Sequence, residues 1–362
     1  MTIDLKQILF FSVLLVAAVQ RGPRATVALV YPNGLAFDNQ GDLYVSDIGA
    51  HRILKHTRRG QLLVVAGTGQ SGFSGDGGLA AKAQLHSPHD LAFDAEGNLF
   101  VADSGNHRIR RIDRQGVIIT IAGDGLSAKT GYNDPLLPNS LNNPQSLAFD
   151  REENLLIADT YNHVVRRLDR NGAMTIFAGS VPGYGGDGGA ATKAQISLPM
   201  AVAVAPDSGV YISDAGNSRI RRVAPDGMIQ TVAGYGPPQD TYGGGYAGDG
   251  GPPEKAKLFS ATDLKFDVAG NLYIADSGNH RIRVVRNGVI TTLAGSGKMG
   301  FSGDGGKATE ADLNTPQKVA IAHDGTVFIA DRVNHRIRKV DARGVISTIA
   351  GVGSPTGMLF GH

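Results

Sequence analysis

The sequence predicts an all-β chain: a six-bladed β-propeller of four-stranded antiparallel blades, with short helical turns in the connections between blades. Three observations lead there. A short motif recurs six times at near-constant spacing, each repeat breaks into four short runs rich in β-branched residues, and a glycine-rich motif falls between repeats.

The motif is clearest at Ala102–Asp113, ADSGNHRIRRID, and related stretches begin at Ser46, Ala158, Ser213, Ala275 and Ala330. The leading aspartates, Asp47, Asp103, Asp159, Asp214, Asp276 and Asp331, stand 56, 56, 55, 62 and 55 residues apart. Such a period marks a repeat architecture and overrides the two or three domains that 362 residues would otherwise suggest. A single domain over residues 25–351 is expected, with blades near 33–67, 88–123, 144–179, 199–234, 261–295 and 316–351 and a tail at 352–362.

In chain order, residues 1–22 come first, apolar from Ile8 to Val19. That run is too short for a membrane-spanning helix and suits the core of a signal peptide, with Val16 and Ala18 as small residues before a cleavage point. A signal peptide or apolar leader is expected, and with it a secreted or periplasmic mature chain lacking a transmembrane helix. Next, Ala25–Gly34 (ATVALVYPNG) aligns with the strand VIITIAG of the second repeat, and VISTIAG at Val345–Gly351 supplies the same strand at the far end. Both are expected to add to the last blade and close the ring.

Each blade then follows one plan. In the second copy, DLAFD (Asp90–Asp94), LFVAD, RIRRID and VIITIAG are separated by AEGN, SGNH and RQG. Short apolar runs punctuated by Gly, Asn and Asp are strand and hairpin signals, with no helical period. Within the motif, Asp103 is expected to accept hydrogen bonds from the turn amides and to face Arg108 across the hairpin. Gly105 suits a left-handed position, Asn106 an Asx-type turn, and His107 a place between blades. Six equivalent catalytic sites around a ring make no chemical sense, so the repeated aspartates read as scaffold.

With these elements in hand, the chain resembles the NHL-repeat family, named for the triplet that stands here as Asn-His-Arg at Asn106–Arg108, Asn279–Arg281 and Asn334–Arg336. The resemblance covers residues 33–351 and implies a six-bladed propeller. It leaves function open: that family includes extracellular sensor domains, interaction platforms, nucleic-acid binders and a peptide-amidating lyase.

Between blades lie GFSGDGGLAAKAQLHSP (Gly72–Pro88) and its relatives beginning at Gly183, Gly245 and Gly300. These read as a turn into one or two helical turns, with Asp76, Asp187, Asp249 and Asp304 as N-caps. Calcium at those aspartates is the alternative, but the Gly-Asp-Gly-Gly turn of each loop offers only the one Asp. Composition narrows the chemistry further. Lys+Arg number 35 against 33 Asp+Glu, for a net charge of +2, so nucleic acid is not an expected partner. The absence of cysteine excludes disulfides and thiolate chemistry, and a monomer is expected.

Where repeats differ, function is to be sought. The connections Asp124–Pro144 and Tyr235–Gly251 depart from the pattern and bring Tyr132, Tyr235, Tyr242 and Tyr246 as candidate binding residues. The paired residues that open each innermost strand also vary, giving the channel-mouth set His89, Asp90, Gln145, Thr262, Asp263, Gln317 and Lys318. Asp90 and Asp263 fall in blades that face each other, so His89, Asp90 and Asp263 are the candidate ligands for a divalent cation, calcium or zinc. Neutralising Asp90 and Asp263 together is expected to spare the fold and to relieve repulsion. Two function classes follow. One is an exported, non-catalytic module that binds a protein, peptide or glycan on its loop-rich face. The alternative is a metal-dependent lyase or lactonase-like hydrolase at the channel mouth.

Overall fold

The computed structural model describes residues 28–127, 139–235 and 245–353. The leader, Tyr132, Tyr242 and most of the tail lie outside the described residues. Six antiparallel sheets follow one another along the chain, each running from an innermost strand outward through its fourth. The innermost strands are Pro32–Phe37, Pro88–Phe93, Pro144–Phe149, Pro199–Val204, Ala261–Phe266 and Pro316–Ile321. Blade 2 continues with Leu99–Asp103, Arg108–Ile112 and Val117–Ala122. The protein is therefore the six-bladed propeller that its repeat predicts.

The turns show why so short a run closes so tightly. At one end of blade 2, Asp94 accepts the Asn98 amide at 2.7 Å and Gly97 takes φ +85°. At the other end, Ser104–Asn106 form a single 3-10 turn, and the left-handed residue after it is His107 (φ 56°, ψ 39°). Gly105 is thus required for a different reason than expected. Its φ is not positive, but a Cβ there would lie 2.5 Å from the ring of His86 in the preceding connection.

Apolar residues pack between blades rather than within one. Ile53 and Ala66 of blade 1, for example, share a buried cluster with Leu91, Val101 and Ile118 of blade 2. Edge-to-face aromatic pairs repeat the contact: Tyr44–Phe93 and Phe100–Phe149 at 5.0 Å, and Tyr211–Phe266 at 4.8 Å. Phe328 of blade 6 meets Phe37 of blade 1 in the same way at 5.3 Å, so the ring closes through one more inter-blade interface. The expected closing strand is a correction: Thr26 and Val27 lie outside the described residues, Ala28–Val30 belong to no strand, and the first and last blades each have four strands of their own.

The glycine-rich connections also differ from expectation. Gly78–Leu79 and Gly189–Ala190 each add a two-residue strand to the outer edge of the following blade, and Gly251 and Lys307 make single bridges at the same place in blades 5 and 6. They cover edges that would otherwise be open to pairing. The 3-10 turns that follow are capped at Leu79, Ala190, Pro252 and Lys307, none with a side-chain hydrogen bond, so the aspartates are not N-caps. No helix among the described residues is long and apolar enough to cross a membrane.

Because every strand is antiparallel to the next, the chain leaves each outermost strand at the end that carries the Asp–His turns. All inter-blade connections therefore share that face, the connection face. The opposite, turn face carries, among the described residues, only the short turns inside blades.

Candidate functional site

The repeated ionisable residues resolve first. Asp47, Asp103, Asp159, Asp214, Asp276 and Asp331 are all buried at 0 % exposure. In blade 2, Asp103 accepts the His86 amide at 2.7 Å, the Asn106 amide group at 2.8 Å and a guanidinium at 3.2 Å. That guanidinium belongs to Arg110, seven residues on, whereas Arg108 donates to the carbonyls of Asn106 and Asp124. Arg110 also reaches Asp76 of the glycine-rich connection at 2.7 Å. The same two-carboxylate clamp recurs in three more blades: Arg221 with Asp214 and Asp187, Arg283 with Asp276 and Asp249, and Arg338 with Asp331 and Asp304. An arginine thus stands where calcium was the alternative. Blade 3 lacks the Gly-Asp-Gly-Gly connection, and there Arg166 pairs with Asp159; blade 1 has Leu54 in its place, and Asp47 takes Arg52 instead.

The clamps also hold one of the candidate tyrosines. Tyr246 lies under Arg281 and Arg283, 3.7 and 4.9 Å from its ring centre, as do Phe73, Tyr184 and Phe301 under their arginines. Its hydroxyl donates to Asp249 at 2.6 Å, so the clamp fixes Tyr246 in place while 40 % of it stays exposed. Sequence carries that signal, since an aromatic residue stands three positions before the aspartate in all four loops. The clamp arginines are 0 % exposed, which withdraws them from any phosphate backbone. His51, His107, His163, His280 and His335 each accept an amide of the neighbouring blade at 3.1–3.2 Å, the inter-blade place expected for His107.

The channel-mouth residues lie together at the connection-face end of the innermost strands. Lys318 of blade 6 extends its ammonium to Asp90 of blade 2 at 3.1 Å and to Asp263 of blade 5 at 3.2 Å, joining three blades across the axis. Each carboxylate also takes an amide from the next blade, Leu147 to Asp90 at 3.0 Å and Val319 to Asp263 at 2.9 Å. All three side chains are buried, and burial opposes every charge. For Lys318 the two carboxylates outweigh it and raise the pKa above that of an ordinary lysine. For Asp90, Lys318 and Lys265 outweigh it and lower the pKa, whereas for Asp263 burial prevails and raises it. The Oδ1 atom of Asp90 is buried without a hydrogen-bond partner among the described residues.

Around this layer, Asn33 faces the His89 ring at 3.3 Å, and Thr262 donates to the Gln317 carbonyl at 2.8 Å. Gln145 is partly buried. Burial, with Arg332 and Lys318 nearby, pushes the pKa of His89 down to about 3, leaving a neutral imidazole. The metal set His89, Asp90 and Asp263 is not assembled. Lys318 holds the place between the carboxylates, and no group of three His, Cys, Asp or Glu among the described residues is arranged to hold a metal ion. A site bridged by an ammonium does not fit a divalent cation.

Sequence reading missed Lys265. The innermost strands present Ala36, Ala92, Ala148, Ala203 and Ala320 at one position of the channel wall, and blade 5 alone presents Lys265. The departure is visible when DLAF, SLAF and DLKF are aligned by the period.

The family model for the teneurin NHL domain matches residues 27–136, 136–224 and 296–357, and that for the NHL repeat matches residues 260–285. Teneurin-3 of Mus musculus is 34 % identical over 286 residues, which are 68 % of this chain and 10 % of that protein. NHL repeat-containing protein 2 of Gallus gallus is 28 % identical over 344 residues, 86 % of this chain and 46 % of that one. The chain spans less than half the length of the curated relatives it matches. Virginiamycin B lyase of Staphylococcus aureus superposes with a TM-score of 0.52 at 13 % identity, covering 91 % of this chain and 86 % of that one, a likeness of fold alone. With most of its length matched by the first of these models, the chain belongs to the teneurin NHL-domain family of NHL-repeat propellers.

Proposed function

We propose that the protein is an exported, non-catalytic binding module that recognises a protein, peptide or glycan through its connection face. The observation that carries this reading is the character of that face. Leu126, Tyr161, Tyr235 and Met299 stand on it at 67, 52, 66 and 70 % exposure. Tyr161 occupies the turn position that is glycine in four other blades: Gly49, Gly105, Gly216 and Gly278. Apolar and aromatic side chains held out on loops of a rigid scaffold are the usual material of a recognition surface. Export is supported by the apolar run Ile8–Val19. The metal-dependent lyase or lactonase alternative is disfavoured by Lys318, whose ammonium bridges the two carboxylates that such a centre would use.

A glycan array and a displayed-peptide library, both probed with the full chain, test the reading. Bound ligands are expected to be lost from the double variant Tyr161→Ser, Tyr235→Ser at unchanged melting temperature. Ligands that bind this variant as well as the parent would overturn it.

A further inference from the structure

At the turn-face end of the channel, beyond the Asp90–Lys318–Asp263 layer, lies a cavity of about 350 Å³. Its wall is made of aliphatic residues of the innermost strands, with Phe37, Phe93, Phe149 and Phe266 towards the opening. The five equivalent alanines show that the scaffold asks only for a methyl group where Lys265 stands. Lys265 is partly buried and makes no hydrogen bond or ion pair among the described residues, so its three donors are unspent inside the protein.

We propose that this chamber binds a small monocarboxylate with a hydrocarbon body, its carboxylate held by Lys265 and its hydrocarbon lying against the alanines and phenylalanines. The volume falls within the range of small-molecule sites, about 300–1,000 Å³, and an apolar wall with one polar anchor is their usual make-up. The charge of the anchor selects the head group. A cation would be repelled by Lys265, and a purely hydrocarbon ligand would desolvate the ammonium without replacing its hydrogen bonds. A doubly charged phosphate would find one cation and two nearby carboxylates. A monocarboxylate is matched by one ammonium, and Asp90 and Asp263 take their hydrogen bonds from Lys318 rather than from Lys265. This site lies on the other face from the recognition surface proposed above, so either reading can fail alone.

Titration calorimetry of the full chain with octanoate, octylamine and octanol tests the proposal. Octanoate is expected to bind, octylamine not to bind, and octanol to bind more weakly than octanoate. Lys265→Ala, which restores the residue of the other five blades, is expected to weaken octanoate binding by about tenfold or more, and Lys265→Arg to retain it. Ala148→Leu, which narrows the chamber and leaves the lysine in place, is expected to weaken octanoate binding. The proposal is overturned if octanoate fails to bind, if octylamine binds as well, or if folded Lys265→Ala binds octanoate like the parent. Should Lys265→Ala not fold, retained octanoate affinity in Ala148→Leu overturns it.

Discussion

Arg108 and Arg110 are two positions apart on one strand, and their surroundings set different costs for losing them. Arg110 is wholly buried between Asp103 and Asp76, so removing it strands a buried carboxylate. Arg110→Met is expected to lower stability by about 3–5 kcal/mol. Arg108 lies over Phe73 with its outer nitrogen bonded to an exposed carbonyl, and Arg108→Met is expected to cost about 1 kcal/mol. Urea unfolding of both variants checks the order, and equal losses would contradict the clamp. His89 offers a second test at this scale. Its pKa is pushed to about 3 by burial and by Arg332 and Lys318, against about 6.5 in the unfolded chain. Between those values the unfolded state takes up a proton that the folded state refuses, so the contribution is full above pH 6.5 and is lost as pH falls. His89→Gln removes that penalty. Between pH 7 and pH 5 the variant is expected to lose about 1–2 kcal/mol less stability than the parent, read from urea unfolding at the two pH values.

The glycine-rich connection is an element whose residues are not interchangeable. Gly303 and Gly305 both take positive φ, +83° and +85°, and alanine is strained at either. Their surroundings separate them. A Cβ on Gly303 would lie 2.7 Å from Cα and Cβ of Ala311, while one on Gly305 meets nothing within 4 Å. Gly305→Ala is expected to cost about 1 kcal/mol, the backbone strain alone, and Gly303→Ala at least about twice that. Thermal unfolding of the two variants decides it. The strands, turns and period of this fold were legible in sequence because each repeat spells out the same alternation and turn chemistry. The partner of the repeated aspartate was not. Four blades carry arginine both five and seven residues after it, so composition cannot separate the two positions. The remaining blades point opposite ways, with Val164 at the nearer position in blade 3 and Leu54 at the farther one in blade 1. Likewise the aspartate before each pair of glycines reads as a helix cap until the arginine of the next blade, 34 residues on, is seen beside it.

At the scale of the whole ring, the period places Asp90 and Asp263 opposite one another but says nothing of how far a side chain from blade 6 reaches. Lys318 supplies that reach, and it changes the expectation for the carboxylates. With two acids sharing one ammonium buried on the axis, loss of the lysine leaves both carboxylates without their counter-charge, and loss of both acids leaves the lysine without one. Asp90→Asn with Asp263→Asn, expected from sequence to relieve repulsion, instead leaves Lys318 as a buried cation without a counter-charge and is expected to destabilise the fold. Lys318→Met leaves two facing carboxylates and is expected to cost about 3–5 kcal/mol. The triple change Asp90→Asn, Asp263→Asn, Lys318→Met removes every charge of the layer while keeping side chains of similar size, and a buried ion network is often replaceable by neutral groups at little loss. The triple variant is therefore expected to recover most of the stability lost by Lys318→Met alone. Denaturant unfolding of the three variants measures the coupling. Additive losses would mean that the lysine and the two aspartates act independently, and the layer would then not be the tie that binds blades 2, 5 and 6 across the axis.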